Sequence, residues 1–354
     1  MADKRKIVVT NRVFPETRAL LEAHAELVVN EGETPWPVDD LLGHCRDAFG
    51  LMAFMTDRID RQFIAACPRL RVVGAALKGY DNIDIDACTE AGVTVTIVPD
   101  LLTVPTAELA IGLMLSLGRN ILVGDAAIRQ DGFAGWRPAL YGAGLDGATV
   151  GILGFGLVGQ AIAERLVPFR CRLLAADAAP PASELVRAGH VELVETDRLL
   201  AEADYLVLAL PLTPATQHIL GRAAIARMKP GARIVNPARG SLLDEAAIAA
   251  ALATGHLAGY AADVFECEDW ARADRPAEID ARLRAATGRT VLTPHIGSAV
   301  VHVRRDIELS AARGIVDVLA GRAPAHAVNA PKTPTLEIVE DAEPASHKNV
   351  SRGH

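Results

Sequence analysis

Three polar residues each follow an apolar run in the second half of the chain: Arg239 in NPARGSLLDE, Glu268 in GYAADVFECED and His295 in TPHIGSA. Each residue type suits one part of a single reaction. A carboxylate beside a histidine favours the imidazolium form and fits the ring for exchanging a proton with substrate or water. An arginine stays charged and offers a planar fork to an oxyanion. Taken singly, Arg239 could anchor a turn, Glu268 could be a solvated acid and His295 could cap a strand. Arriving in order at successive strand ends, they point to acid–base chemistry on a small anion, because parallel α/β sheets bind ligands beyond the carboxyl ends of their strands.

Upstream of these residues, ATVGILGFGLVGQAIAERL places Gly154, Gly156 and Gly159 in G-x-G-x-x-G spacing. The hexapeptide alone is a weak signal. Here a strand pattern (Thr149–Leu153) precedes it and a helix pattern (Leu157–Leu166) follows, which is the context that dinucleotide binding requires. The first glycine makes the tight turn, the second lets backbone approach a pyrophosphate, and the third lets the helix pack on its strand. The helix N-terminus then turns unpaired N–H groups and its positive dipole end toward the phosphates. Asp177 comes 18 residues after Gly159, at the end of the next strand pattern. A carboxylate there accepts the ribose hydroxyls and repels a 2′-phosphate. Ala178 and Ala179 follow it with no arginine, so NAD is expected over NADP.

The elements that must hold these residues read as an alternating βα series. Strands are expected at Ile7–Thr10, Leu27–Asn30, Phe49–Phe54, Arg71–Ala75 and Val93–Ile97, with amphipathic helices at Pro15–His24, Val38–Arg46 and Arg61–Cys67. One long apolar helix is expected over Thr103–Gln130, buried between domains or subunits. The glycine-rich stretch Asp131–Gly147 reads as an irregular connection. A second series then places strands at Thr149–Leu153, Arg172–Ala176, Tyr205–Ala209, Arg233–Val235, Leu257–Ala261 and Thr290–Leu292. A last helix is expected over Ala299–Leu319, and a disordered tail from about Pro331. This rhythm predicts α/β architecture with two doubly wound parallel sheets.

Composition bounds the partners. A chain of 354 residues exceeds what one core usually organises. Lys and Arg number 36 against 44 Asp and Glu, a net charge of −8, and the basic residues form no run. A nucleic-acid surface is not expected. Five dispersed cysteines without a C-x-x-C pair suit reduced thiols in the cytoplasm, and no apolar segment has the length of a membrane span. The remaining histidines look structural; His24, His44, His190 and His256 sit on helices or turns and none shares metal-ligand spacing with another, so no metal is expected.

From about Lys6 to Asn329 the chain resembles the D-2-hydroxyacid dehydrogenases, in GYDNIDIDAC, TVPTAELAIGLMLSLGR, TVGILGFGLVGQAIAERL, LALPLTPATQHIL, NPARGSLLDEAAIAAAL, GYAADVFECED and TPHIGSA. The resemblance implies a Rossmann NAD domain (102–298) inserted into a flavodoxin-like substrate domain (1–101 and 299–330), with 331–354 as tail. It also implies a homodimer through the 103–130 helix region, and puts the family's catalytic triad on Arg239, Glu268 and His295. Around the cofactor it implies Lys78, Thr106, Phe155, Leu157 and Val158 beside the three glycines and Asp177. Pro211, Leu212 and Thr216 follow, then Pro237, Ala238 and Arg239, and finally Asp263, His295 and Gly297.

Within the family the chain is most similar to its phosphite-oxidising (phosphonate dehydrogenase) branch, in MAFMTDRID, RVVGAALKGYDN, VPDLLTVPTAELAIGL, GYAADVFECEDWARADRP and HIGSAV. That likeness implies NAD-dependent oxidation of phosphite to phosphate. Lys78 is the most informative residue, since typical hydroxyacid dehydrogenases carry a small or apolar residue beside Gly79. Phosphite is close to a dianion, and desolvating two charges against one cation would be costly. Met55, Leu102, Trp136, Tyr141, Ser298 and Arg304 fall where that branch's pocket residues or their supports are expected. Two readings stay open beside it: a glycerate- or glyoxylate-type D-2-hydroxyacid dehydrogenase, and an NAD-sensing interaction protein.

Overall fold

The computed structural model describes residues 4–269, 272 and 274–331. The expected tail beyond residue 331, and residues 270, 271 and 273 of the EDWARADRP stretch, lie outside the described residues. The first series supplies β1 (Lys6–Val9), β2 (Glu26–Val29), β3 (Gly50–Ala53), β4 (Val72–Ala75) and β5 (Thr94–Thr96). They pair in parallel in the order β2-β1-β3-β4-β5, the flavodoxin-like order. β3 and β4 are buried at every position, as strands covered by helices on both faces must be.

The second series forms β6 (Thr149–Leu153), β7 (Arg172–Ala176), β8 (Val191–Leu193), β9 (Tyr205–Leu208), β10 (Ala232–Asn236), β11 (Leu257–Ala262) and β12 (Thr290–Leu292). The sheet order is β12-β11-β10-β9-β6-β7-β8, all parallel. The order reverses between β6 and β9, which is the switch point where a doubly wound sheet opens a crevice. The chain therefore has the expected two parallel-sheet α/β units, of five and seven strands, the larger in Rossmann order.

Aspartates mark where several helices begin. Asp60, Asp84 and Asp244 accept the N–H groups of Phe63, Ala87 and Ala247, satisfying donors that no helical carbonyl can reach. The C-terminal helix, Val301–Leu319, returns to the first sheet. A Cβ on Gly74 of β4 would lie 2.6 Å from Ile315 Cγ1, so the absence of a side chain lets the helix lie directly on the strand.

Several sequence expectations need correction. The apolar stretch expected as one helix over Thr103–Gln130 is two helices, Thr103–Gly118 and Ile121–Asp131, bent by 60° at their junction. The break falls where Asn120 adopts a left-handed backbone (φ 54°), and its side-chain amide donates to the carbonyls of Leu140 and Tyr141. The break falls at the polar pair Arg119–Asn120, which a reading of apolar content over the whole stretch averages out. Only the first of the two helices is buried; the second has no buried residue. The short strand β8 and the helix Ile85–Glu90 went unpredicted, being too brief for a periodicity to declare itself. Among the described residues no single helix is long and apolar enough to cross a membrane.

Candidate active site

The glycine turn sits at the switch point. Gly154 follows β6 at φ 95°, and a Cβ there would lie 2.6 Å from the backbone of Ala209, just past β9. A Cβ on Gly159 would stand 2.2 Å from the Gly154 carbonyl, so the helix Leu157–Leu166 can pack on its strand only with glycine there. Gly156, by contrast, faces open space: nothing lies within 4 Å of a Cβ built on it. That gap, opposite the N–H groups of the helix N-terminus, fits a pyrophosphate. Phe155 is fully buried, so its backbone and not its ring is available to a cofactor. Its N–H donates to Asp177 Oδ2 at 2.7 Å, and Ala179 N–H donates to Oδ1 at 2.9 Å. Asp177 itself is exposed at the end of β7, so it keeps acceptor capacity for ribose hydroxyls. Across the turn from this loop, Thr216 Oγ1 donates to the Pro211 carbonyl at 2.7 Å, closing the segment that carries Leu212.

β10, β11 and β12 are neighbours in the sheet, and Arg239, Glu268 and His295 follow their carboxyl ends. The structure thus places the three residues after the ends of adjacent strands. Glu268 Oε2 lies 2.9 Å from His295 Nδ1, while Oε1 accepts the N–H of Phe265 at 3.0 Å. With Nδ1 engaged, Nε2 remains for a reacting group. Both side chains are 29% exposed, enough for substrate to reach them.

His295 stands in a left-handed turn (φ 54°) held almost entirely by Asp263, which is 1% exposed. Asp263 Oδ1 accepts the Thr293 hydroxyl at 2.6 Å and Ile296 N–H at 2.8 Å. Its Oδ2 accepts Gly297 N–H at 2.7 Å, and its carbonyl accepts His295 N–H at 2.8 Å. Burial pushes this carboxyl up, and the donors to it oppose the shift. A Cβ on Gly297 would come within 3.4 Å of both Asp263 Oδ2 and Thr106 Oγ1, so these three implied cofactor residues do converge.

Arg239 reaches across to the other unit. Its Nε donates to Asp81 Oδ1 at 3.0 Å, its Nη1 donates to the Ala238 carbonyl at 2.9 Å, and its guanidinium lies against Gly79. Of its five N–H groups, three are left for an oxyanion among the described contacts. Asn236 steadies the segment between β10 and Arg239: its amide donates to the Arg239 carbonyl at 2.8 Å, and its Oδ1 accepts Ala238 N–H at 3.1 Å, beside Pro237. Sequence reasoning singled out neither Asp81 nor Asn236. The signal was present in both cases, as a polar residue one or two positions from Gly79 and at the last position of a buried strand.

Lys78 precedes Gly79 on the loop after β4 and is half-buried, and among the described residues it has no carboxylate at ion-pair distance. Burial pushes its ammonium down, only partly offset by Asp100. Arg304 is similar: its Nη1 reaches Ser298 Oγ at 3.4 Å, its guanidinium lies over the Phe54 ring, and burial pushes it down. Met55 and Leu102 are partly buried against the two cores flanking the first sheet. Trp136 and Tyr141 are not brought to the cluster. They stand 82% and 79% exposed on the segment after the second apolar helix, so within one chain solvent surrounds them. Leu157 and Val158 take up the first turn of the glycine-loop helix, Leu157 exposed.

The chain is similar to known dehydrogenases. The profile of the "D-isomer specific 2-hydroxyacid dehydrogenase, NAD binding domain" matches residues 111–297. The glyoxylate reductase of Thermococcus gammatolerans is 36% identical over 335 residues, covering 92% of this chain and 96% of that one. The glyoxylate reductase of Pyrococcus furiosus is 35% identical over 333 residues, with the same coverage. Among solved structures, a putative D-isomer specific 2-hydroxyacid dehydrogenase from Polaromonas superposes with a TM-score of 0.82 at 30% identity, over 92% of this chain and all of that one.

Proposed function

Because the chain belongs to the D-isomer specific 2-hydroxyacid dehydrogenase family and carries its NAD-binding domain, we propose that it interconverts a short 2-oxo acid and its D-2-hydroxyacid, with glyoxylate or a close relative as substrate. The observation that carries this reading is the Glu268–His295 pair standing on the strand end next to Arg239's. The names of the relatives support the glyoxylate-type substrate. In the oxidative direction Arg239 grips the carboxylate and His295 Nε2 takes the hydroxyl proton. Glu268 holds Nδ1–H and stabilises the imidazolium that forms. NAD, when bound over the glycine turn, supplies the hydride acceptor.

A second reading, phosphite oxidation, is favoured by one specific observation, the half-buried Lys78 that lacks a carboxylate partner beside Gly79. With Arg239 it offers two cations to a dianion. In this reaction water's oxygen bonds to phosphorus, the P–H bond breaks with its electron pair leaving as hydride, and His295 takes the water proton. One assay separates the two readings. Purified protein is given NAD with phosphite, and NADH with glyoxylate or hydroxypyruvate, and absorbance at 340 nm is followed. Rapid NADH formation with phosphite overturns the hydroxyacid reading. Turnover of the oxo acids alone overturns phosphite. Turnover of none, with NADH still bound, would leave the NAD-sensing reading.

The proposal includes a homodimer formed through the helices Thr103–Gly118 and Ile121–Asp131 and the segment after them. Phe133, Trp136 and Tyr141 there are more than three-quarters exposed in the single chain, an apolar load that a second copy would cover and could carry toward the neighbouring site. Light scattering that gives a monomer would overturn this part.

A further inference from the structure

Behind the reacting groups lies a second polar cluster that none of the chemistry above employs. Arg272, whose side chain is 10% exposed, donates from Nη1 to Glu266 Oε2 at 2.5 Å and to Ser241 Oγ at 2.9 Å. His218 Nε2 meets the same Glu266 oxygen at 2.9 Å. Glu266 Oε1 accepts Glu245 N–H at 3.0 Å, and Glu245 Oε1 accepts Glu266 N–H at 2.8 Å in return. Ser241 N–H donates to Asp269 Oδ2 at 2.6 Å. Glu245, Glu266 and Asp269 are all buried.

The placement of these partners along the chain matters more than their number. Ser241 lies two residues after Arg239, and Glu266 and Asp269 bracket Glu268. The cluster therefore fastens the segment that carries the oxyanion-binding arginine to the turn that carries the histidine's carboxylate partner. At the seam the two backbones are already in contact, since a Cβ on Gly240 would lie 1.9 Å from the Phe265 carbonyl carbon. Arg272 is the one member that touches both sides with a single nitrogen, and it supplies positive charge where buried carboxylates converge. A guanidinium Nη can donate in two directions within one plane, which a lysine held at the same place could not reproduce with the same geometry.

We propose that Arg272 is a positioning residue: by joining Glu266 to Ser241 it holds Glu268 and Arg239 at the mutual distance that the reaction requires. The proposal rests on the reading of Arg239, Glu268 and His295 as the working site, and its test is arranged so that the two can fail separately. Misplacing reacting groups by about 1 Å can cost on the order of 100-fold in rate. Arg272→Ala should accordingly lower kcat/KM for whichever oxyanion the enzyme turns over by at least ~10-fold, with NAD affinity unchanged. Guanidinium ion added to this variant at millimolar concentration should restore part of the rate, whereas a residue needed only for folding gives no such rescue. Ser241→Ala, which removes one link and leaves the charge, should lose rate to a smaller degree, and it keeps the test available should Arg272→Ala not fold.

A readout without turnover completes the test. In protein labelled with ¹⁵N-histidine, the His295 Nδ1–H resonance, assigned by its loss in His295→Gln, reports the contact with Glu268. Arg272→Ala, or Ser241→Ala if that variant alone folds, should shift or broaden it. Unchanged kcat/KM and an unchanged resonance in folded variants would overturn the proposal. An inactive wild-type protein would defeat the functional reading alone, and the resonance would still decide the role of Arg272.

Discussion

A Cβ at position 79 would lie 2.0 Å from Arg239 Nη2, well inside contact distance. Gly79 belongs to the first unit and Arg239 to the second, so the arginine proposed to bind the oxyanion is seated against backbone of the other unit, with Asp81 fixing its Nε. Gly79→Ala must push the guanidinium off this seat. We expect kcat/KM for the oxyanion to fall by on the order of 100-fold, with the NAD dissociation constant within twofold of wild type. Steady-state kinetics with cofactor titration checks both; an alanine variant of normal efficiency would mean that the arginine does not work from this position.

His295→Gln keeps a polar side chain but removes the imidazole proposed to exchange the proton. Turnover should drop at least ~100-fold while NADH binding, followed by its fluorescence, stays close to wild type. Retained turnover would assign the proton to another group.

Lys78→Ala removes a half-buried cation that has no carboxylate partner among the described residues. For a dianionic substrate KM should rise by ~10- to 100-fold, in line with loss of a charge-assisted contact. For a monoanionic hydroxyacid the change should be small, because Arg239 suffices. Comparing the variant's KM for phosphite and for glyoxylate therefore tests substrate class and residue together, and equal small changes would remove Lys78 from the site.

Asp177 holds Phe155 N–H, and in the proposed reading its exposed carboxylate also accepts the ribose hydroxyls. Asp177→Ala should raise the ratio of kcat/KM with NADP to that with NAD by ~10-fold or more, chiefly by ending repulsion of a 2′-phosphate. It should also weaken NAD, since the glycine turn loses a tether. An unaltered ratio would show that another residue sets the choice.

Asp57 is 4% exposed and accepts from the Thr10 hydroxyl and from Phe54 N–H, yet burial still pushes its carboxyl up to about 6 from the ordinary 3.8. Between those values the folded chain holds a proton that the unfolded chain has released, so this group's contribution to stability falls as pH rises through the window. Asp57→Asn keeps an acceptor and drops the charge. Its Tm should match wild type near pH 4 and exceed it increasingly toward pH 7, by an amount equivalent to at most ~3 kcal/mol. A Tm offset independent of pH would contradict the shifted carboxyl.

Much of this enzyme could be read locally. Short buried strands alternating with helices, the glycine spacing after Thr149–Leu153 and the polar residues closing β10, β11 and β12 are each written within a few neighbouring residues, because strand and helix periodicities and turn stereochemistry are local properties. The sequence by itself therefore determined the two parallel sheets, the cofactor turn and the order of Arg239, Glu268 and His295. Tertiary structure alone decided the rest. Asp81 meets Arg239 across a separation of 158 residues, and Asp263 holds the turn of His295 from 32 positions upstream. The break at Asn120 and the bond from Arg272 to Ser241 likewise have no local signature. Such contacts exist only once helices have packed on both sheets and closed them on each other, and packing answers to shape and burial over the whole chain rather than to the pattern of any one segment.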